Sequence, residues 1–195
     1  MRRNLSSGGE VSGDESSDQR LVAACADGDL EALGALFDRH HRAVYAFLSR
    51  LSGTDDRDVD DLVQATFLEA SASARRFRGQ AAVRTWLFGI AAHVASHHTR
   101  ADIRRRSLHV RAAEQAPVQA NDSIEAAERR DVALRVAAAL ASLPHDLRVV
   151  FVMCAVEEIP GPQVAGVLGI REGTLWWRLH EARKALRSML EGRSP

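Results

Sequence analysis

Apolar residues recur along most of this chain at intervals of three and four positions, which is the spacing of one face of an α-helix. No segment shows the alternation of apolar and polar residues that is typical of a strand. The pattern therefore predicts an all-α protein. The first predicted helix begins at Gln19. The others cover about 30–51, 55–76, 83–105, 122–142, 145–156, 163–168 and 173–190.

Two segments interrupt the helical pattern. Residues 1–18 are rich in Ser, Gly and acids and contain hardly an apolar side chain, so we expect a disordered tail whose acidic part, Glu10 to Asp18, is dispensable. Residues 111–121 contain Pro117 and little periodicity, which is typical of a flexible linker. These boundaries predict two small helical domains, at 19–110 and 122–191, joined by that linker.

Local residue types mark the ends of the predicted helices. Gly53, Thr54 and Asp55 are expected to end the second helix and to supply an N-cap for the third. Gly79 ends the third. Near the C-terminus, a turn at Gly169 and an N-cap at Thr174 indicate a helix-turn-helix in the second domain.

Composition places the chain among globular proteins that are not exported. Of its 195 residues 46% are hydrophobic, so it can form real cores. The only cysteines, Cys25 and Cys154, lie inside apolar patterns, which is not the arrangement of a secreted disulfide framework. The longest apolar run, Val149 to Val156, is far below the roughly 20 residues of a membrane span. We expect a cytoplasmic protein without membrane insertion.

The formal net charge of +0 conceals a strong local asymmetry. Acidic residues precede the apolar positions of the third predicted helix, whereas arginines dominate its end and the fourth helix. Such an order suits a surface that holds one partner next to a surface that binds DNA. The acidic residues are Asp55, Asp56, Asp58, Asp60 and Asp61, and the basic ones are Arg75, Arg76, Arg78, Arg84, Arg100, Arg104, Arg105 and Arg106.

The last predicted helix has one apolar face and one aromatic and basic face. Leu175, Leu179, Ala182 and Leu186 would pack on the preceding helix. The opposite face would enter the major groove of DNA, with its first turns at base edges and its basic flanks on phosphates. A plain helical hairpin with a solvated basic face is the alternative, and we favour DNA binding because the turn, the cap and the basic face coincide.

Aromatic residues are interleaved with the basic residues of the first domain. Phe77, Trp86 and Phe88 lie among the arginines, and unstacked bases need aromatic faces while their phosphates need cations. Trp86 by itself is more typical of a core residue, and the arginines by themselves of a solvated face. Their occurrence in one chain with a second DNA-binding element favours DNA.

These motifs resemble those of the extracytoplasmic-function sigma factors of the bacterial sigma-70 family. The resemblance rests on DLVQATFL at 61–68, FRG at 77–79, RTWL at 84–87 and the helix after Gly173, and it extends over about residues 20 to 190. It implies a dissociable initiation subunit of RNA polymerase, with a promoter-melting first domain and an upstream-element second domain. It implies neither an enzyme nor a cofactor.

The resemblance also implies three sets of site residues. The set that docks on the clamp coiled coil of the largest subunit of core RNA polymerase is Asp61, Leu62, Gln64, Phe67 and Leu68. The set that binds and melts the minus-ten promoter element is Phe77, Arg78, Arg84, Trp86, His93, His97, Arg100, Arg104 and Arg105. The set that binds the minus-thirty-five element is Arg171, Thr174, Trp176, Trp177, Arg178, His180, Glu181, Arg183 and Lys184.

Some positions depart from the family pattern. Ala92 and His93 replace a customary arginine and asparagine, so recognition of the melted base is expected to differ. Trp176 and Trp177 replace a basic residue and a serine. Glu181 stands where family members often have a basic residue. Since Glu can accept from cytosine N4 and Trp can pack on a thymine methyl, we expect an unusual upstream element. A Pro-Gly-Pro at 160–162 replaces a polar helix start, which is tolerated in a first helical turn.

Three other interpretations fit parts of the sequence. A metal enzyme would use His93 and His97, one turn apart, with His40, His41 or His98, but no third ligand follows at a diagnostic spacing. A stand-alone dimeric DNA-binding regulator has no need of the surface at 61–68. An anti-sigma factor as partner would regulate the sigma function rather than replace it, and we expect one.

Overall fold

The computed structural model describes the backbone of residues 9–52, 56–106 and 124–191, and the side chains of 15–52, 58–98 and 131–191. Every element within these ranges is helical, which confirms the all-α prediction. The helices are α1 (Gly9–Ala26), α2 (Leu30–Ser52), α3 (Asp56–Ser73) with a 3₁₀ turn at Ala74–Arg76, α4 (Val83–Arg106), α5 (Ile124–Ser142), α6 (His145–Phe151) with a π turn at Val152–Val156, α7 (Gly161–Leu168) and α8 (Glu172–Leu190). The predicted breakers Gly53, Thr54 and Asp55 and the predicted linker at 111–121 lie outside the described residues.

Helices α1 to α4 form the first domain around the apolar face of α2. Leu36, Phe47 and Leu48 recur on that face at helical spacing and are fully buried. Phe47 stacks on Phe88 of α4 with ring centroids 4.4 Å apart. None of the described helices is long and apolar enough to cross a membrane.

The predicted start of the first helix was wrong, because α1 begins at Gly9 rather than at Gln19. The reason is a buried ion cluster that composition does not reveal. The Asp18 carboxylate is 4% exposed and accepts hydrogen bonds from His40 Nε2, at 2.8 Å, and from Arg39. An acid in this position orders the segment that was expected to be a disordered tail, and the expectation that Glu10 to Asp18 is dispensable conflicts with it.

A side chain of α1 also caps the beginning of α4. The Glu15 carboxylate accepts a hydrogen bond of 3.1 Å from the backbone N–H of Val83, the first residue of α4. The first N–H groups of a helix lack partners within it, and a carboxylate there also interacts favourably with the helix dipole. A residue 68 positions earlier in the chain therefore caps the helix that carries the predicted minus-ten surface.

Helices α5 to α8 form the second domain. Leu175 and Leu179 of α8 are buried against α6 and α7, while Ala182 and Leu186 pack with Leu140 of α5 and its neighbours. These are the apolar positions that the sequence predicted for α8. After α7 the chain turns at Gly169, whose φ of 64° lies in the left-handed region that favours glycine.

The two domains pack on each other, a contact that the sequence did not predict. Buried apolar residues from both belong to one continuous core. Gly89 of α4 lies so close to α7 that a Cβ added there would be 3.0 Å from Val167 Cβ. Polar groups cross the same boundary, since Arg148 donates to the Leu51 carbonyl at the end of α2 and His145 Nε2 lies 3.3 Å from the Ala92 carbonyl oxygen.

Candidate nucleic-acid and partner interface

The predicted partner-docking set on α3 divides between surface and core. Asp61, Gln64 and Leu68 are exposed, and Leu68 keeps 67% of its surface in solvent. Leu62 and Phe67, both 3% exposed, are buried in the first domain. Both side chains are used by the fold, although Phe67 also lines a surface groove together with Gln64 and Leu68. Their contact with the partner stays a prediction.

Two leucines of α2, which were not predicted to be site residues, extend this surface. Leu30 is 78% exposed and Leu33 is half-buried, and both line a shallow groove together with Gly34, Gln64 and Leu68. The two exposed leucines of this groove, Leu30 and Leu68, form an apolar patch that favours a protein contact. Periodicity alone could not identify the two leucines of α2, since Leu30 and Leu33 fit the same pattern as the buried positions of α2.

The loop at 77–79 is held against the start of α4. The rings of Phe77 and Trp86 lie 5.0 Å apart, and Gly79 has a φ of 65° that permits the turn between them. Arg78 and Arg84 are exposed, and the Arg84 guanidinium lies 5.1 Å above the ring of Phe88. The structure thus brings together the aromatic and basic residues that were predicted to bind the minus-ten element.

His93 and His97 continue the same face of α4. Both are exposed, and their Nε2 atoms lie 3.1 Å apart. Among the described residues there is no group of three His, Cys, Asp or Glu side chains that could hold a metal ion. The side chains of Arg100, Arg104 and Arg105 lie outside the described residues, although the backbone of α4 continues to Arg106.

The exposed face of α8 is aromatic and basic, as predicted. Trp177 keeps 61% of its surface in solvent, and His180, Arg183 and Lys184 are exposed near it, with Glu181 half-buried. Arg171 is exposed and occupies the N-cap position of α8. Thr174 was predicted to be that N-cap, which is wrong, because α8 already begins at Glu172 and Thr174 lies within its first turn.

Trp176 and Arg178 are partly engaged within the domain. A Cβ added to Gly161 would lie 2.6 Å from Cη2 and Cζ2 of Trp176, so the indole ring lies directly against the Gly161 backbone. Pro162 stands in the first turn of α7, as the sequence permitted. The Arg178 guanidinium donates a 2.7 Å hydrogen bond to Asp146 of α6. Trp177 is consequently the freer of the two tryptophans.

The faces of the two domains that were predicted to contact DNA border one cleft. Trp86, Gly89 and His93 line it from α4, and Asp146 and Arg178 line it from the second domain. Arg84 lies at the same boundary, where its guanidinium donates a 2.5 Å hydrogen bond to Glu157. Arg84 and Arg178, which were expected to bind phosphate, thus pair with carboxylates of the same chain.

Comparison with family models divides the chain in the same way. Residues 36–106 match Sigma-70 region 2, and residues 133–186 match Sigma-70, region 4. The chain is similar to the ECF RNA polymerase sigma factor SigM of Mycobacterium tuberculosis H37Rv, with 34% identity over 90% of this chain and 86% of that protein. It is also similar to the ECF RNA polymerase sigma-E factor of Escherichia coli K12, with 29% identity over 87% and 92% of the two chains.

Solved structures agree with these matches. The structure of CnrH in complex with the cytosolic domain of CnrY has a TM-score of 0.61 and 30% identity, over 91% of this chain and 99% of that one. The sigma factor RpoE from Bartonella quintana, solved with the anti-sigma factor NepR, has the same TM-score of 0.61 at 22% identity, which supports the fold.

Proposed function

The chain belongs to the extracytoplasmic-function sigma factors of the sigma-70 family, and we propose that three separate surfaces perform its steps in transcription initiation. As a sigma factor it binds core RNA polymerase, recognises promoter DNA and promotes initiation. Sigma factors are not enzymes, and the chemistry of RNA synthesis belongs to the core polymerase. The domain at 19–110 would bind core polymerase and the minus-ten element, and the domain at 122–191 the minus-thirty-five element.

The first surface is the docking site for the clamp coiled coil of the largest polymerase subunit. It would consist of Asp61, Gln64 and Leu68 of α3, extended by Leu30 and Leu33 of α2. The groove lining includes the acidic side chain of Asp38, and an apolar groove of this kind suits a helical partner that presents apolar and basic residues. Leu62 would support this surface from beneath, while Phe67 lines the floor of the groove.

The second surface binds the minus-ten element. Phe77 and Trp86 would offer faces for unstacked bases, while Arg78 and Arg84 would neutralise phosphates. His93 and His97, further along α4, would lie next to the displaced strand. Arg100, Arg104 and Arg105 would extend the phosphate contacts.

The third surface is the exposed face of α8, and it is the single observation that supports the function best. Trp177, which is 61% exposed, stands opposite the buried Leu175 and Leu179, as a recognition helix in the major groove requires. Trp177 would pack on a thymine methyl and Glu181 would accept from a cytosine N4. His180, Arg183 and Lys184 would flank these contacts, while Arg178 would have to exchange Asp146 for a phosphate.

The partner and the compartment follow from the same proposal. A sigma factor works where the polymerase is, so we place the protein in the cytoplasm. We also propose an anti-sigma factor as a regulatory partner, supported by the RpoE structure solved with the anti-sigma factor NepR and by the complex of CnrH with the cytosolic domain of CnrY.

The docking surface is tested by holoenzyme assembly with purified core polymerase. We expect Asp61→Ala and Leu68→Ala to weaken assembly by about tenfold each, the loss typical of a central interface side chain, without lowering the free energy of unfolding. Asp27→Ala is the matched control, because Asp27 is an exposed aspartate of the same domain outside the docking surface. Assembly of both docking variants at the control's affinity would refute the assigned surface.

A further inference from the structure

His93 and His97 form a pair of imidazoles one turn apart on α4. Their Nε2 atoms lie 3.1 Å apart, the ring centroids are 4.5 Å apart, and the ring planes are inclined by 76°. Residues four positions apart on a helix project from the same side, so the backbone of α4 places both rings together. Both side chains are exposed. The pair is therefore accessible to a ligand from solvent.

The distance between the two nitrogens matches that of two ligands on one metal ion. A divalent transition metal binds an imidazole nitrogen at about 2.0–2.1 Å, and two such bonds at a right or a tetrahedral angle hold their nitrogens about 2.8–3.4 Å apart. The 3.1 Å between His93 Nε2 and His97 Nε2 falls within that range. In the metal-free protein a ring N–H donated to the other ring nitrogen accounts for the same distance. A metal ion would take the place of that proton.

The carboxylates that share a cleft with His93 are engaged by arginines. Glu69 and Asp146 line this cleft, Glu69 lies 3.8 Å from Arg76, and Asp146 accepts a 2.7 Å hydrogen bond from Arg178. In the described part of the chain, no third His, Cys, Asp or Glu side chain completes a metal site with the pair. An ion on the two imidazoles would therefore keep coordination positions open for water or for an outside ligand.

We propose that His93 and His97 form a two-point site for a late first-row divalent cation, Ni²⁺, Cu²⁺ or Zn²⁺, on the minus-ten surface. Neutral imidazole is a preferred ligand of these ions. The bound ion brings positive charge and open coordination positions to the strand that α4 would contact, where a phosphate oxygen or a purine N7 completes the coordination. The metal would thus strengthen binding of that strand. The metal site stands on the geometry of α4, whereas its effect on DNA rests on the proposed function of that helix.

The first test is metal binding by the full chain without DNA. Isothermal titration calorimetry with Ni²⁺ alone should show binding that His93→Gln and His97→Gln each weaken about tenfold or more, because either change turns a two-point attachment into a one-point attachment. His98→Gln is the matched control. It removes an imidazole from the next position of α4, which lies about 100° around the helix from His97 and is half-buried. Its affinity should stay at the wild-type value.

Folding does not confound this comparison. His93 and His97 are both exposed, so each variant should keep the free energy of unfolding of the wild type to within about 0.5 kcal/mol. Urea denaturation without metal measures it. Equal Ni²⁺ affinity in the wild type and in both pair variants would overturn the site.

The second test measures the effect of the metal on DNA binding. With Ni²⁺ present, the wild type and His98→Gln should bind a fluorescent single-stranded oligonucleotide of random sequence about three- to tenfold more tightly than without it, because the ion adds charge next to the phosphates. His93→Gln and His97→Gln should show no such gain. Mg²⁺ at the same concentration should not reproduce the gain in the wild type, because Mg²⁺ prefers oxygen ligands.

The outcomes separate this inference from the function on which its second part rests. Wild-type DNA affinity that Ni²⁺ leaves unchanged would overturn the effect on DNA, and so would an equal gain in all four proteins, which would assign it to contacts of the ion with DNA alone. Run-off transcription by the wild-type holoenzyme in Mg²⁺ without added Ni²⁺ should still occur, since the ion strengthens a contact that exists without it. Failure of transcription both with and without Ni²⁺ would instead refute the sigma function.

Discussion

Gly161 allows the ring of Trp176 to pack against the start of α7, and this single contact limits what Trp176 can do. The ring stands where a Cβ at position 161 would be, at 2.6 Å, and half of its surface remains in solvent. A residue that stabilises the helix-turn-helix in this way supports the recognition surface from one side. Gly161 and Trp176, which both depart from the family pattern, thus pack on each other.

We expect Gly161→Ala to lower the free energy of unfolding by about 1–2 kcal/mol, the usual cost of overfilling a packed site. Urea denaturation measures it. Gly166→Ala in the same helix is the control, because a Cβ there meets nothing within 4 Å and should be neutral or stabilising. Equal stability of the two variants would contradict the contact between Gly161 and Trp176. If both variants are made in a Trp176→Ala background, the difference in stability between them should disappear.

Cys25 is buried and Cys154 is half-buried. Desolvation raises the pKa of Cys25 above 9.0, with Asp29 adding to the rise, and desolvation also raises the pKa of Cys154 against the opposing charge of Arg183. The neutral thiols therefore stabilise the fold at neutral pH, and this contribution is lost as the pH rises above 9.0.

Alkylation by iodoacetamide at about pH 8 should accordingly be slower for the native protein than for the urea-unfolded protein, because the thiolate is the reactive form. The native rate should increase as the pH passes 9.0. Mass spectrometry of the modified peptides measures both sites. Equal native and unfolded rates at the lower pH would show that the thiols are neither buried nor shifted.

At the level of elements, the helix boundaries followed from the sequence where apolar periodicity and a breaker coincide. The beginnings of α4 and α6, the end of α7 and the turn at Gly169 are of this kind, whereas α7 begins at Gly161 rather than at about 163. The beginning of α1 was missed because residues before Gln19 offer no apolar face, and the helix depends on a pairing between Asp18 and residues more than 20 positions later. Local composition cannot predict a pairing between residues so far apart in the chain.

We expect Asp18→Ala to lower the free energy of unfolding by about 1–3 kcal/mol, because it leaves buried His40 and half-exposed Arg39 without their shared carboxylate. Chemical denaturation of the full chain measures the change. Asp27→Ala, an exposed aspartate in the turn after α1, should have little effect. A midpoint for Asp18→Ala equal to that of Asp27→Ala would restore the view that this acidic segment is dispensable.

At the scale of the molecule, the order of the two domains and the face of α8 followed from the sequence, whereas their contact did not. The apolar positions that join the domains, such as Val149 and Val167, fit the ordinary pattern of helix packing within a domain. Nothing in that pattern distinguishes a residue that packs on its own domain from one that packs on the other. For the same reason, the pattern did not distinguish the exposed Leu68 from the buried Phe67 next to it.

The most direct test of the account is run-off transcription from a pool of genomic fragments with purified core polymerase, with and without this protein. Discrete new transcripts that share paired upstream motifs are expected. Leu68→Ala should reduce them through weaker docking, and Trp177→Ala should change their upstream motif preference. No new transcripts, together with tight binding of the protein alone to duplex DNA, would contradict the sigma function and favour a stand-alone regulator.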